Sequence, residues 1–146
     1  MRTSWLLILI CLVAVVGLVL SSLSLVNHYK KSPTEYCDLG ENFNCDIVNR
    51  SPWSELAHVP VAAIGMAGYV FLFVMSWVAA RRPQAAVVML IAALGGLAFA
   101  LYLTYIEAYK LEAWCILCLG SLVSISLITI LSAARVVTTR KSGAAA

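Results

Sequence analysis

Four cysteines in two pairs, Cys37 with Cys45 and Cys115 with Cys118, are the residues of this chain best suited to chemistry. Seven residues separate the first two, in a polar stretch. The second two form a C-x-x-C at the mouth of an apolar run. A thiolate attacks a disulfide through a mixed-disulfide intermediate, so two dithiols brought together can pass two electrons between them. Positions i and i+3 share one face of a helix. A helix N-terminus stabilises an adjacent anion by about 0.3–1 kcal/mol when exposed and up to ~2 kcal/mol when partly buried. Cys115 is placed to gain most from this, and the thiolate is the reactive species. Cys118, one turn deeper, faces apolar surroundings or a bound apolar acceptor. One dithiol thus has a wet end and a lipid end.

Two other uses of four cysteines compete with redox chemistry. Static disulfides could staple the loops, although a C-x-x-C within one helical turn closes too small a loop to constrain much. A four-cysteine zinc site would ordinarily place its short-spaced pairs in turns. The pattern therefore favours electron transfer and no bound metal. No flavin, haem or nicotinamide motif is present, so the expected acceptor is an organic molecule dissolved in a bilayer, with quinone the obvious candidate.

The elements that must position these thiols are written in the composition. The chain is 62% hydrophobic and 12% charged, against roughly 45–50% apolar and 25% charged in soluble domains. Four apolar runs, about Trp5 to Val26, Val59 to Ala80, Gln84 to Ile106 and Cys115 to Val137, are long enough to span a bilayer, which takes roughly 20 helical residues. The expected fold is an all-α integral membrane protein. It is a single domain over 1–146: a four-transmembrane-helix bundle (5–26, 59–80, 84–106, 115–137) with a long outer loop, 27–58, and a cytoplasmic tail, 138–146. The first run is longer than the roughly 7–15 apolar residues of a signal peptide and lacks an A-x-A-like site after it, so it reads as a retained helix. Gly95-Gly96, and Gly120 with Ser124, offer small faces for close helix contact.

Charge sets the orientation. Arg2, Arg81, Arg82, Arg135, Arg140 and Lys141 fall on one side with no acid. Lys30, Lys31, Arg50 and Lys110 share the other side with all seven acids: Glu35, Asp38, Glu41, Asp46, Glu55, Glu107 and Glu112. Basic residues near span ends stay cytoplasmic, which puts both termini inside. Both cysteine pairs then face the exterior, where disulfides persist. Cys11, inside the first span, reads as a small packing residue. The basic residues orient the chain in the membrane and form no nucleic-acid patch.

In the outer loop, Ser51-Pro52 is a helix-start signature. It predicts a short amphipathic helix from Ser51, with Trp53 and Leu56 dipping toward lipid. Asp38-Leu39-Gly40-Glu41-Asn42 reads as a turn that lets Cys37 and Cys45 approach. His28 and His58 read as interfacial histidines, and Glu107 as a solvated helix end.

The arrangement resembles the vitamin K epoxide reductase family, specifically its bacterial quinone-reducing branch without a fused thioredoxin-like domain. The matching residues are Cys37-Asp38, Cys45, Ser51, His58-Val59-Pro60-Val61-Ala62, Gly65-Met66-Ala67-Gly68-Tyr69 and Trp114-Cys115-Ile116-Leu117-Cys118. In the DsbB type of quinone-linked thiol oxidase the C-x-x-C comes first and the spaced pair second. The order here is reversed.

The resemblance implies that Cys37 exchanges with a thioredoxin-fold, DsbA-like protein, that Cys45 attacks Cys115, and that Cys118 forms the thiolate beside the quinone. It implies a loop Ser/Thr near the redox site at Ser51, and quinone-pocket residues at Trp53 and Tyr69. The cofactor implied is a quinone of the ubiquinone, menaquinone or phylloquinone type. The location implied is the bacterial inner membrane. Animal members carry a Tyr and an Asn at the places of Leu122 and Val61, so simple quinone reduction is expected in preference to epoxide reduction. With the sequence ending at Ala146, the thiol partner is expected to be a separate protein. Ser51 is equally well read as a helix cap.

Overall fold

The computed structural model describes residues 2–30, 37–40 and 42–144. Four long helices dominate it: α1 (Arg2–Tyr29), α3 (Val61–Arg81), α4 (Ala85–Ile106) and α5 (Ile116–Ala144). They are apolar around the whole circumference, the pattern of helices that do not face water. Ile91 on α4 and Ile130 on α5, for instance, are 64% and 65% exposed. The stretches Ser4–Tyr29, Val61–Arg81, Ala85–Leu111 and Ile116–Ser142 are each long and apolar enough to cross a membrane. The expected four-span helical membrane bundle is the architecture found.

The helices form a ring in which α1 packs on α3 and α5, and α4 packs on the same two. Small residues set the spacing, since helices in lipid associate through close packing. Gly17 of α1 lies against the Tyr69 ring of α3, where an added Cβ would stand 2.2 Å from Cε1. Gly120 of α5 faces Leu20 of α1 in the same way, at 2.9 Å from Cδ1. Of the Gly95-Gly96 pair, Gly96 meets Ile125 of α5, whereas Gly95 has open space beside it.

At the end away from the cysteines, α5 continues as helix past Val137. The hydroxyls of Thr138 and Thr139 donate back to the Arg135 carbonyl at 2.8 and 2.9 Å, so these polar residues are accommodated in the helix. Arg135 is buried and donates through Nη2 to the Ala79 carbonyl near the end of α3, at 3.3 Å. It joins two helices and is not a freely solvated charge.

The segment between α1 and α3 differs from the expected single helix. It holds β1 (Asp38–Gly40), β2 (Phe43–Asn44), α2 (Cys45–Asn49), a 3-10 turn at Pro52–Ser54, β3 (Glu55–Leu56) and β4 (Val59–Pro60). The helix begins at Cys45 because the Asn44 side chain caps it, accepting from the amides of Asp46 (3.0 Å) and Ile47 (3.1 Å). Ser51 makes no such cap; its hydroxyl donates backwards to the Val48 carbonyl at 2.8 Å. After the 3-10 turn the chain reverses at Ala57 and His58, with φ of 51° and 66°, and β3 pairs with β4. Leu56 therefore lies in a strand. The predicted turn after Cys37 is the β1–β2 hairpin, with Gly40 opposite Phe43. Its Glu41, together with Lys31 and Glu35, lies outside the described residues.

Candidate functional site

A backbone clamp between distant segments brings the cysteines together. The Asn44 amide donates to the Trp114 carbonyl at 3.1 Å, and the Trp114 amide donates to the Asn42 carbonyl at 2.9 Å. The next residue on each segment is a cysteine. Cys45 Sγ and Cys115 Sγ consequently lie 3.2 Å apart, although 70 residues separate them. Cys37 and Cys45 are joined in a disulfide, while Cys115 and Cys118 are free thiols. The sulfurs of Cys37, Cys45 and Cys115 all lie within 4.8 Å of one another, and all three residues are buried. That spacing suits a thiophilic ion only once the disulfide is reduced; in the state described, two of the three sulfurs are spent on each other.

Cys115 sits at the head of α5, its carbonyl accepting from the Leu119 amide at 3.0 Å. Its own N–H, one of the orphan donors of a helix start, donates to Glu107 Oε2 at 3.3 Å. Asn49 Nδ2 lies 4.0 Å from Cys115 Sγ, and Asn49 Oδ1 accepts from Ser24 of α1 at 2.6 Å. His28 donates through Nδ1 to the Asn49 carbonyl, and its Nε2 faces Glu55 at 3.2 Å. The Cys115 thiol, which stands just before the last span, is held below the ordinary thiol pKa. Hydrogen bonding with Cys118 lowers it most, against the opposing pull of burial and of the Glu107 charge.

Behind the cysteines opens a cavity of about 380 Å³, lined mostly by apolar side chains of α1, α3, α4 and α5. Its few polar walls include Cys118, Glu107, Asn49, Ser51, Trp53 and Tyr69. An apolar hollow of ~300–1,000 Å³ with a few placed polar groups is the usual form of a small-molecule site. Tyr69 is buried and donates to the Ser121 carbonyl at 2.8 Å, with the Ser121 hydroxyl at the same distance. It thereby locks α3 to α5 across the cavity wall. Val61 also lines the cavity. Cys11 is elsewhere, paired with Ser76 at 2.8 Å, and His58 is exposed on the β3–β4 turn.

Glu107 is the main correction to the sequence reading. It is not a solvated helix end. It stands on a single π turn, Glu107–Leu111, that continues α4, and it is 2% exposed. The only sequence signal for it was an acid set directly against an apolar run. Asn44 and Asn49 were also missed, although an Asn directly before Cys45 is a recognisable N-cap pattern.

A membrane bundle that gathers a disulfide and two free thiols beside an apolar cavity fits a membrane oxidoreductase. Residues 8–133 match the vitamin K epoxide reductase family, and the chain belongs to that family. Its members are helical membrane bundles associated with disulfide and quinone redox chemistry. Comparison with curated proteins gives no match.

Proposed function

We propose that the protein is a quinone-dependent thiol oxidase that supports disulfide-bond formation. Two electrons pass from a reduced thioredoxin-fold, DsbA-like partner to Cys37/Cys45, then to Cys115/Cys118, then to a quinone of the ubiquinone, menaquinone or phylloquinone type. The observation that carries this reading is the 3.2 Å contact between Cys45 and Cys115, with Cys118 on the wall of the cavity behind them. A loop disulfide acting only as a staple has no need of a third sulfur at that distance.

In the oxidising direction a partner thiolate attacks Cys37, releasing Cys45. The Cys45 thiolate then attacks Cys115 of the Cys115–Cys118 disulfide, and Cys118 leaves as a thiolate. The partner's second thiolate resolves the partner–Cys37 mixed disulfide, leaving as an oxidised partner, and the freed Cys37 thiolate completes the Cys37–Cys45 disulfide by displacing Cys115. One loop disulfide with two free thiols, the arrangement in the structure, is the combination this transfer would leave. Cys118, Trp53 and Tyr69 wall the space for a quinone ring, which as substrate supplies the two-electron acceptor. Ser51 holds the loop against Val48 beside it. The end of the bundle with Arg81, Arg82, Arg140 and Lys141 faces the cytoplasm of a bacterial inner membrane, and the cysteines face outward.

The test is quinol formation by purified reduced protein given ubiquinone or menaquinone, with each cysteine replaced in turn. Cys45→Ala should lose turnover driven by a thioredoxin-fold partner yet still reduce quinone when a small dithiol reduces Cys115/Cys118 directly. No quinol from the wild type would refute the proposal.

A further inference from the structure

We infer that Glu107 is the proton carrier between the Cys115/Cys118 dithiol and the near oxygen of the quinone. This rests on the function proposed above and assigns a residue to the proton half of the same reaction.

A carboxyl taken out of water is costly unless it is paired or serves a purpose, and Glu107 is 2% exposed. One oxygen, Oε2, accepts the Cys115 N–H. The other, Oε1, is fully buried and, among the described residues, has no partner in strict hydrogen-bond geometry. The carboxyl interacts electrostatically with both Cys115 and Cys118, and it forms part of the cavity wall beside Cys118. No other carboxyl lines that cavity among the described residues. The other titratable groups on the wall are His28 from α1, Tyr69 from α3 and Cys118 from α5. His28 is engaged with Asn49 and Glu55, and Tyr69 with Ser121. Glu107 thus has one oxygen anchored on the Cys115 N–H and its carboxyl within reach of the Cys118 thiol.

The reaction balances as follows. The S–H bonds of Cys115 and Cys118 break and one S–S bond forms. Two electrons pass to the quinone, which becomes quinol by gaining two protons. The Glu107 carboxylate takes the Cys118 proton, leaving the thiolate, and then donates that proton to the near quinone oxygen. The Cys115 proton leaves to the aqueous side as the disulfide closes, and the far oxygen takes one from there. Glu107 ends as the carboxylate it began as.

A purely structural role for Glu107, accepting the Cys115 N–H, is the competing explanation, and Glu107→Gln separates the two. The amide oxygen of Gln still accepts that N–H but cannot carry a proton. In Glu107→Gln, quinone reduction by the reduced dithiol should fall about 100-fold or more, as expected for loss of general acid–base catalysis. Glu107→Asp should recover part of it. In quinone-free reduced protein, thiolate absorbance followed against pH should show Cys115 ionising at lower pH in Glu107→Gln, because the carboxylate charge opposes the thiolate. More thiolate with less quinone reduction identifies a proton carrier.

Folding is checked without quinone. The Cys45–Cys115 mixed disulfide should form as readily in Glu107→Gln/Cys118→Ala as in Cys118→Ala. Quinone reduction within about threefold of wild type in Glu107→Gln overturns the assignment, as does a parallel loss of mixed-disulfide formation. A wild type that reduces no quinone overturns the functional reading itself.

Discussion

Cys37 and Cys45 stand on a short hairpin and a helix of 5 residues, whereas Cys115 and Cys118 stand at the head of a helix of 29 residues. The first pair is held by the β1–β2 pairing, the Asn44 cap and the clamp to Trp114. The second is held by the whole packed length of α5 against α1 and α4. Segments with few buried contacts open at lower free energy than packed helices. In the proposed route the loop pair is the carrier, and its lighter support suits it to that part. Along that route, a thioredoxin-fold partner has to reach a Cys37 that is buried in this structure. Carrier and terminal are thus distinguished by what supports them, although both are dithiols.

The largest effect is expected at the helix-mouth pair. Cys118→Ala should abolish quinol formation and accumulate the Cys45–Cys115 disulfide, visible by mass under non-reducing conditions. Normal turnover would remove Cys118 from the lipid end of the path. A packing change at the fixed side should come next. Gly17→Leu drives atoms into the Tyr69 ring, at a cost of about 1–3 kcal/mol as an overpacked contact. The outcome to measure is a lower Tm together with weaker quinone dependence, since Tyr69 forms part of the cavity wall.

On the carrier side, Asn44→Ala should cost about 1 kcal/mol through loss of the α2 cap. It should slow exchange between the pairs severalfold while leaving quinone reduction by a chemically reduced Cys115/Cys118 unchanged. An equal loss in both half-reactions would mean that the loop and the helix mouth act as one unit.

A smaller effect lies in pH. The lowered Cys115 pKa keeps its thiolate populated to lower pH than an ordinary thiol with a pKa of about 8.5. Attack of Cys115 on the loop disulfide should therefore lose rate only as pH falls through an inflection below that value. Stopped-flow alkylation of the mixture, read by mass, checks it. Cys11→Ala should change neither half-reaction, since Cys11 pairs with Ser76 away from the cavity.

Much of this was legible in the chain. The four spans follow from uninterrupted apolar runs, because lipid demands apolar side chains on every outward face. Spacing grouped Cys37 with Cys45, which are joined, and Cys115 with Cys118, which are free thiols. The C-x-x-C could be placed at a helix mouth because its apolar run starts there.

The loop was less legible, for a specific reason. Ser51-Pro52 and Asn44 are both sound helix starts, and only one helix forms. The Asn44 cap won because Asn42 and Asn44 are already held by the Trp114 backbone, so the chain enters α2 from a fixed strand. Nothing in residues 42–54 taken alone announces that clamp.

Two cysteine pairs, one in a polar loop and one at a membrane helix, could be read from the chain alone, because residue type and hydropathy are local properties. Tertiary structure alone decided that Cys45 meets Cys115 at 3.2 Å and that a cavity opens behind Cys118. It also decided that Glu107 turns inward rather than out to water. Those outcomes depend on backbone pairing and helix packing between segments tens of residues apart, where side-chain periodicity carries no information.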